Sequence, residues 1–180
     1  MPRMLGIKTT HAMLALAFLS PSLAAAQDLA SDPPASACRG FAWSLDRERA
    51  WFDQKRLPRR VSGARLRKID RAVALDLQPT SKAKFFLPPE RRPKARSFSG
   101  DVTFFGVPKP GQYQVTLSEP ASIDVFENGA RLKPVAATEA KDCAGLAKSL
   151  RYDLAPGDLV LVQVTGAVSS TINVAFTETR

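Results

Sequence analysis

The feature that most constrains the fold is a run of short segments, between residues 111 and 177, in which apolar and polar residues alternate. In the first of them, Tyr113, Val115 and Leu117 fall on one face and polar residues on the other, which is the period of two that a half-buried strand needs. Six segments of this kind are bounded by turn residues: 112–117, 122–127, 131–135, 150–154, 159–164 and 172–176.

The turns between these segments favour an antiparallel arrangement. Asn128-Gly129 predicts a tight type I′ hairpin, because both residues tolerate positive φ. Pro134 indicates an edge strand, since its nitrogen cannot donate a hydrogen bond to a neighbouring strand. Residues 159–164 are apolar on both faces apart from Gln163, as expected of a strand covered from both sides. The pattern therefore predicts an all-β fold, an antiparallel β-sandwich or jelly roll.

Further strands are predicted before this run. Residues 73–77 alternate, residues 83–87 are a second candidate, and residues 100–106 begin the main sheet. These bring the expected total to about eight or nine strands. Residues 38–180 are expected to form one domain, with a basic part (38–99) and a regular series of strands (100–180).

The N-terminus has the pattern of a secretory signal peptide. A short basic start precedes the apolar residues 12–19, and an alanine run ends at Ala26, where cleavage is expected. The alternative is a membrane anchor, but the apolar stretch is well below the ~18 residues that a spanning helix needs. Residues 1–26 are thus predicted to be removed, leaving a periplasmic or secreted protein without a transmembrane segment. Residues 27–37 are predicted to form a flexible leader.

Two cysteines remain after this cleavage, Cys38 and Cys143. In an oxidising compartment an even count predicts a disulfide, which would tie the start of the domain to a loop of the sheet. The alternative is lipidation of Cys38, because residues 35–38 faintly resemble a lipobox.

Both tryptophans lie close to Cys38 in the sequence. Residues 41–45 alternate like a short strand, and residues 46–54 favour a short N-terminal helix capped by Ser44, with Trp51 covering an open end of the sandwich. Trp43 and Trp51 are candidate contacts for sugar rings. The alternative is that they are core aromatics.

Positive charge is confined to one part of the chain. Residues 46–96 hold sixteen Lys and Arg against six acids, whereas residues 97–180 hold seven against nine. Export argues against nucleic acid as the partner, so anionic lipopolysaccharide or acidic polysaccharide is expected instead. The alternative is that these bases only solubilise a proline-rich surface. The candidate contacts are Arg59, Arg60, Arg65, Arg67, Lys68, Arg91, Arg92, Lys94 and Arg96.

The sequence argues against most kinds of catalysis. Its single histidine, His11, lies in the expected signal peptide, so histidine-based triads and histidine-ligated metals are not expected in the mature chain. No phosphate-binding loop, nucleophile-elbow or calcium-loop motif is present, and we expect no cofactor and no catalytic residues. Catalysis by a pair of carboxylates remains an alternative. The candidate acids fall mostly at turns or on solvent-facing positions: Asp101, Glu119, Asp124, Asp153 and Asp158.

Several short motifs together resemble a group of small exported proteobacterial proteins of unknown function. They are Cys38-x-Gly40-Phe41-x-Trp43, Pro88-Pro89-Glu90, Gly111-x-Tyr113-x-Val115-x-Leu117-Ser118, Ile123-Asp124-Val125, Cys143-x-Gly145 and Lys148-Ser149. Some members of that group are called homogentisate dioxygenases, an activity that needs histidine ligands to iron. The C-terminal half is also similar in pattern to bacterial prepeptidase C-terminal β-sandwich domains, which are noncatalytic modules.

Three functions of different classes follow. The first is a non-enzymatic periplasmic module that binds an anionic envelope component or has a structural role. The second is a protein-interaction module, such as an accessory or inhibitor subunit that binds another envelope protein. The third is a carboxylate-based glycan hydrolase.

Overall fold

The computed structural model describes residues 40–157 and 159–179. Within these residues the chain forms one helix and twelve strands, which confirms the predicted all-β fold with a short N-terminal helix. The elements are α1 (Asp46–Phe52), β1 (Arg59–Val61), β2 (Ala64–Leu66), β3 (Arg71–Asp76), β4 (Gln78–Pro79), β5 (Phe98–Phe105), β6 (Gly111–Leu117), β7 (Ser122–Glu127), β8 (Ala130–Arg131), β9 (Ala136–Glu139), β10 (Lys148–Leu154), β11 (Leu159–Ala167) and β12 (Thr171–Glu178).

The strands form two six-stranded sheets that pack face to face. Sheet 1 has the order β1-β3-β12-β6-β10-β9, and sheet 2 has the order β2-β5-β11-β7-β8, with β4 paired to β5. The described residues thus contain more strands than the eight or nine expected. The additional ones, β1, β2, β4 and β9, are two to four residues long, too short to show a period of two in the sequence.

Both sheets are mixed, because two short strands run parallel to their neighbours. β1 pairs with β3 and β2 pairs with β5 in parallel register, whereas the other pairings between strands are antiparallel. Ser62 and Gly63 join β1 to β2 and carry the chain from sheet 1 to sheet 2. Ser62 N–H donates to the Asp76 carbonyl in sheet 1, and Gly63 N–H donates to the Asp101 carbonyl in sheet 2.

The inner faces of the sheets form the main hydrophobic core. Val115 and Leu117 of β6 are fully buried against Val162 and Val164 of β11 and their neighbours. Tyr113, Val115 and Leu117, which were predicted to share one face of β6, all belong to this core, since alternation placed them on one side.

The predicted hairpin at Asn128-Gly129 is confirmed. Both residues have positive φ, 51° and 80°, as a type I′ turn requires. The returning strand β8 is shorter than predicted and ends at Arg131, three residues before Pro134. The edge position inferred from Pro134 is correct, since β8 is the last strand of sheet 2.

An N-terminal segment, residues 40–57, covers the outer face of sheet 1. Its helix α1 begins after Leu45, and the Ser44 hydroxyl accepts a hydrogen bond from Asp46 N–H at 3.3 Å. Phe52 packs near Ala72 and Ala175, which are register partners on adjacent strands. Two alanines side by side leave room for a helix to approach the sheet.

Three predictions for this segment were wrong. Residues 41–45 do not form a strand, and Trp51 lies over a sheet face rather than at an open end. Ser44 does not cap α1, because the N-cap is Leu45, whose side chain makes no capping hydrogen bond. The outer face of sheet 1 accepts the segment because several of its polar side chains are buried and hydrogen-bonded there. Thr116 and Ser149, for example, share a hydrogen bond at 2.8 Å on this face.

A second segment, residues 80–97, crosses the outer face of sheet 2 and is called the basic loop below. The predicted strand at residues 83–87 was wrong, because these residues pair with no strand. Phe86 packs edge-to-face on Phe126 of β7, with ring centroids 5.2 Å apart. Each sheet is therefore covered on both faces, the inner by the other sheet and the outer by one of these segments.

No helix among residues 40–157 and 159–179 is long and apolar enough to cross a membrane. The predicted signal peptide, the leader and Cys38 lie outside the described residues, and so does Asp158.

Candidate functional site

The basic loop is closed at its base by hydrogen bonds between its two ends. Thr80 N–H donates to the Ser97 carbonyl at 2.8 Å, and the Thr80 hydroxyl lies 2.9 Å from the Ser97 hydroxyl and 2.7 Å from that of Ser99. Pro88, Pro89 and Pro93 within the loop restrict φ. The loop is therefore held in shape by its ends and by its prolines.

Side chains from sheet 2 fix the middle of the loop. Gln163 of β11 is 1% exposed, and its side-chain oxygen accepts from Phe86 N–H at 3.1 Å. The Gln163 amide donates to the Leu87 carbonyl at 3.2 Å. Arg131 donates to the Pro88 carbonyl and stacks over the Phe126 ring. Backbone groups of the loop thus find partners on the sheet, which leaves its charged side chains facing solvent.

The four basic side chains predicted here are all exposed. Within the described residues, none of them makes a hydrogen bond or a salt bridge, so their charges are available to a ligand. Residues 80–97 carry six Lys and Arg and a single acid, Glu90. The four predicted residues are Arg91, Arg92, Lys94 and Arg96.

The other predicted bases do not join this group. Arg59 lies on the edge strand of sheet 1, where it is ion-paired with Asp76 at 2.5 Å, and Arg60 donates to the Arg59 carbonyl. Arg65 lies in register with Thr103 on sheet 2. Arg67 and Lys68 line a shallow recess at the end of the sheets, beside residues 105–108. The sequence could not show this division, because it depends on the crossing of the chain between sheets at residues 62–63.

The two tryptophans are half-buried in the smaller hydrophobic cluster between the N-terminal segment and sheet 1. The Arg151 guanidinium lies 4.0 Å from the centre of the Trp43 ring, and that of Arg47 lies 5.5 Å from the Trp51 ring. An arginine thus covers one face of each ring. The arrangement matches the core-aromatic alternative more closely than an open platform for sugar rings.

Cys143 is buried in the same cluster, and Arg49 of α1 lies 3.5 Å from its sulfur. This places the cysteine beside the N-terminal segment, as the disulfide hypothesis requires. Because Cys38 is not described, the disulfide stays a prediction.

A cavity of about 350 Å³ opens beside the basic loop, where the edges of the two sheets separate. Its polar wall combines Asp124 of β7, Tyr152 of β10 and the ion pair of Glu139 with Lys148, whose atoms are 3.1 Å apart. Arg91 of the basic loop lines it as well. The Lys148 ammonium, with a smaller contribution from Arg91, lowers the pKa of Glu139.

Asp124 departs from the expectation of a solvent-facing acid. It is 5% exposed, with one carboxylate oxygen 3.5 Å from Arg131 and the other accepting from the Gln163 amide at 3.4 Å. The basic loop covers it, which alternation along β7 could not reveal. Sequence reasoning also missed Tyr152 as a cavity residue; Pro134, which interrupts the edge beside it, was the only signal.

Residues 40–157 and 159–179 contain no group of three side chains that could together hold a metal ion. A scan against protein-family models finds no match, and searches of curated proteins and of solved structures find none either.

Proposed function

We propose that the chain is an exported, non-enzymatic β-sandwich module that binds an anionic component of the bacterial envelope through the basic loop. The observation that supports this most directly is the excess of exposed bases on residues 80–97, which make no salt bridge within the described part of the chain. Phosphate groups of lipopolysaccharide and carboxylates of acidic polysaccharide are the ligands of matching charge in that compartment.

The basic loop is also anchored to sheet 2, which supports the proposal independently of its amino-acid composition. A loop that served only solubility would need no fixed conformation, whereas this one is held by a buried glutamine, an aromatic contact and a closed base. Fixing a charged loop before binding lowers the entropy lost when it meets a ligand. The four bases are thus presented on a preformed surface.

Charge reversal on the loop tests the proposal. We expect Arg92→Glu with Lys94→Glu to weaken binding to lipopolysaccharide about 10-fold or more, because each base near an anionic surface contributes about 1 kcal/mol. The control is Lys55→Glu with Arg56→Glu, which makes the same change in net charge at exposed residues outside the loop. Affinity is measured by surface plasmon resonance on immobilised lipopolysaccharide and on alginate.

Salt dependence is the second readout. Binding by the wild type should weaken steadily as NaCl rises, because screening shortens the range of the interaction. Equal loss of affinity in both double variants would show a response to net charge alone, and binding insensitive to salt would contradict the electrostatic mechanism. Recovery of one stoichiometric protein in a periplasmic pull-down, with no affinity for either polyanion, would favour the accessory-subunit function instead.

A further inference from the structure

The cavity between the sheet edges contains hydrogen-bonding groups without partners. Tyr152 is 2% exposed, lines the cavity, and its hydroxyl makes no hydrogen bond with any described residue. Its register partner Tyr113 is equally buried, but the Tyr113 hydroxyl donates to the Lys109 carbonyl at 2.9 Å. The Tyr152 hydroxyl is not among the buried polar atoms that lack a partner, so it opens into the cavity, where a ligand can supply its hydrogen bond.

A backbone edge faces the same cavity. Leu132 N–H donates to the Val125 carbonyl, and backbone groups of alternate residues point to the same side, so those of Ile123 also face the β8 side. β8 ends at Arg131, and Pro134, the residue that the continued β7–β8 register would bring opposite Ile123, lies where the chain leaves for sheet 1. Proline has no N–H to donate, and no described residue bonds to the Ile123 N–H or carbonyl. The edge thus offers one donor and one acceptor.

The charges around the cavity favour an uncharged ligand. Three acids line it, Glu90, Asp124 and Glu139, together with two bases, Arg91 and Lys148. An anion or a cation of any size would meet a like charge, whereas a molecule with several hydroxyl groups can donate to carboxylates and accept from the bases. Ile123, Leu132 and Leu150 supply an apolar wall suited to the carbon face of a sugar ring.

We infer that this cavity is a binding site for a neutral sugar unit, adjoining the polyanion surface on the basic loop and sharing Arg91 with it. Its volume falls in the usual range for small-ligand pockets. The Tyr152 hydroxyl and the Ile123 backbone groups bind hydroxyls of the sugar, and the acids accept from others. Burial, together with the nearby Asp124 and Glu90 carboxylates, raises the pKa of Tyr152, so the hydroxyl keeps its proton and can act as a donor.

The test uses four neutral disaccharides, maltose, lactose, cellobiose and chitobiose, added to the ¹⁵N-labelled protein at millimolar concentration. We expect at least one to shift the amide signals of residues 122–124 and 152. Tyr152→Phe should then lower its affinity about 3- to 10-fold, the contribution of one hydrogen bond. Tyr113→Phe, the matched control, should leave the affinity unchanged.

A measurement of folding separates a lost contact from a damaged fold. Because the Tyr152 hydroxyl has no protein partner, Tyr152→Phe should not lower the melting temperature, whereas Tyr113→Phe removes a hydrogen bond and should lower it. Binding to lipopolysaccharide should persist in Tyr152→Phe, since the basic loop is intact, so this inference and the proposed function can fail independently.

Two results would overturn the inference. One is the absence of any shift at residues 122–124 and 152 with all four disaccharides. The other is equal sugar affinity in Tyr152→Phe and the wild type. An extended peptide that shifts the Ile123 amide while the disaccharides do not would show that the edge recruits a strand instead, and the sugar assignment would then be wrong.

Discussion

Glu48 is a carboxylate almost wholly removed from solvent, with 1% of its surface exposed. It accepts a hydrogen bond from the Gln114 amide of sheet 1 at 2.8 Å and lies 3.5 Å from the Arg47 guanidinium. Its position in the first turn of α1 is also favourable, because the positive end of the helix dipole lies there. A single side chain thus joins the helix to the sheet beneath it.

We expect Glu48→Ala to lower the free energy of unfolding by about 1–3 kcal/mol, since the buried Gln114 amide loses its partner. Asp46→Ala is the control, because Asp46 lies in the same turn but is exposed. It should cost less than about 1 kcal/mol. Urea denaturation followed by circular dichroism measures both. Similar losses in the two variants would assign the effect to the helix dipole rather than to the buried contact.

Asp101 makes the stability depend on pH. Partial burial raises its pKa, and a hydrogen bond from the Ser62 hydroxyl at 3.0 Å offsets this in part. A carboxyl whose pKa is higher in the folded state than in the unfolded state stabilises the fold below its unfolded pKa, and this contribution is lost as pH rises through the folded pKa.

Asp101→Asn removes this titration but keeps an oxygen for Ser62. Relative to the variant, the wild type should therefore become less stable as pH rises from about 4, the usual pKa of aspartate. Thermal melts of both proteins at a series of pH values measure the difference, in which the contributions of other groups cancel. A difference that stays constant with pH would contradict this assignment.

At the scale of elements, the connection from β1 to β2 depends on a glycine in β5. A Cβ at Gly100 would lie 2.8 Å from the Ser62 hydroxyl oxygen and 3.0 Å from a methyl carbon of Leu77. Gly100→Ala should therefore destabilise the fold by about 1–3 kcal/mol, the usual cost of overpacking. Gly111→Ala, at the start of β6, is the control, because its Cβ would meet its nearest atom only at 3.9 Å. Equal stability of the two variants in urea would show that the connection shifts to make room.

The elements that were predicted well carry their own local signal. Residues 122–127 match β7 in both bounds, because alternation and the Asn128-Gly129 turn define them together. The strand predicted at residues 83–87 was wrong. Phe85 and Phe86 have strand propensity, but the loop packs against sheet 2 through its side chains without pairing. The exposed bases of the candidate site were predicted from composition. Its cavity was not, because Tyr152 and Asp124 come together only when the sheets pack.

At the scale of the whole molecule, the two sheets are covered in the same way on their outer faces. Each has a central strand with a glutamine buried beneath a covering segment, Gln114 in β6 and Gln163 in β11. Alternation predicted an outward Gln114, whereas residues 159–164 were expected to be covered from both sides. Gln114 bonds to Glu48 of the N-terminal segment, and Gln163 bonds to backbone groups of the basic loop. A period of two shows which residues leave the inner core, but it cannot show that a distant segment will cover them.

Because each glutamine holds a different covering segment, replacing one of them should open only the segment that it holds. Gln163→Leu removes two hydrogen bonds to the basic loop, so the loop should detach locally and lysine- and arginine-specific cleavage by trypsin within residues 82–96 should accelerate. Gln114→Leu should instead accelerate cleavage within residues 47–56 and leave the basic loop protected. Each change should lower the free energy of unfolding by about 1–3 kcal/mol.

Mass spectrometry of the first cleavage products, at trypsin concentrations too low to digest the wild type, identifies which segment opens. Arg92 precedes Pro93, a bond that trypsin cuts poorly, so early cuts are expected after Lys82, Lys84, Arg91, Lys94 or Arg96. If both variants are first cut in the same segment, the N-terminal segment and the basic loop unfold as one unit and do not depend on separate glutamines. If each variant is cut in its own segment, detaching the basic loop should also weaken lipopolysaccharide binding in Gln163→Leu alone, because only that variant loses the preformed surface.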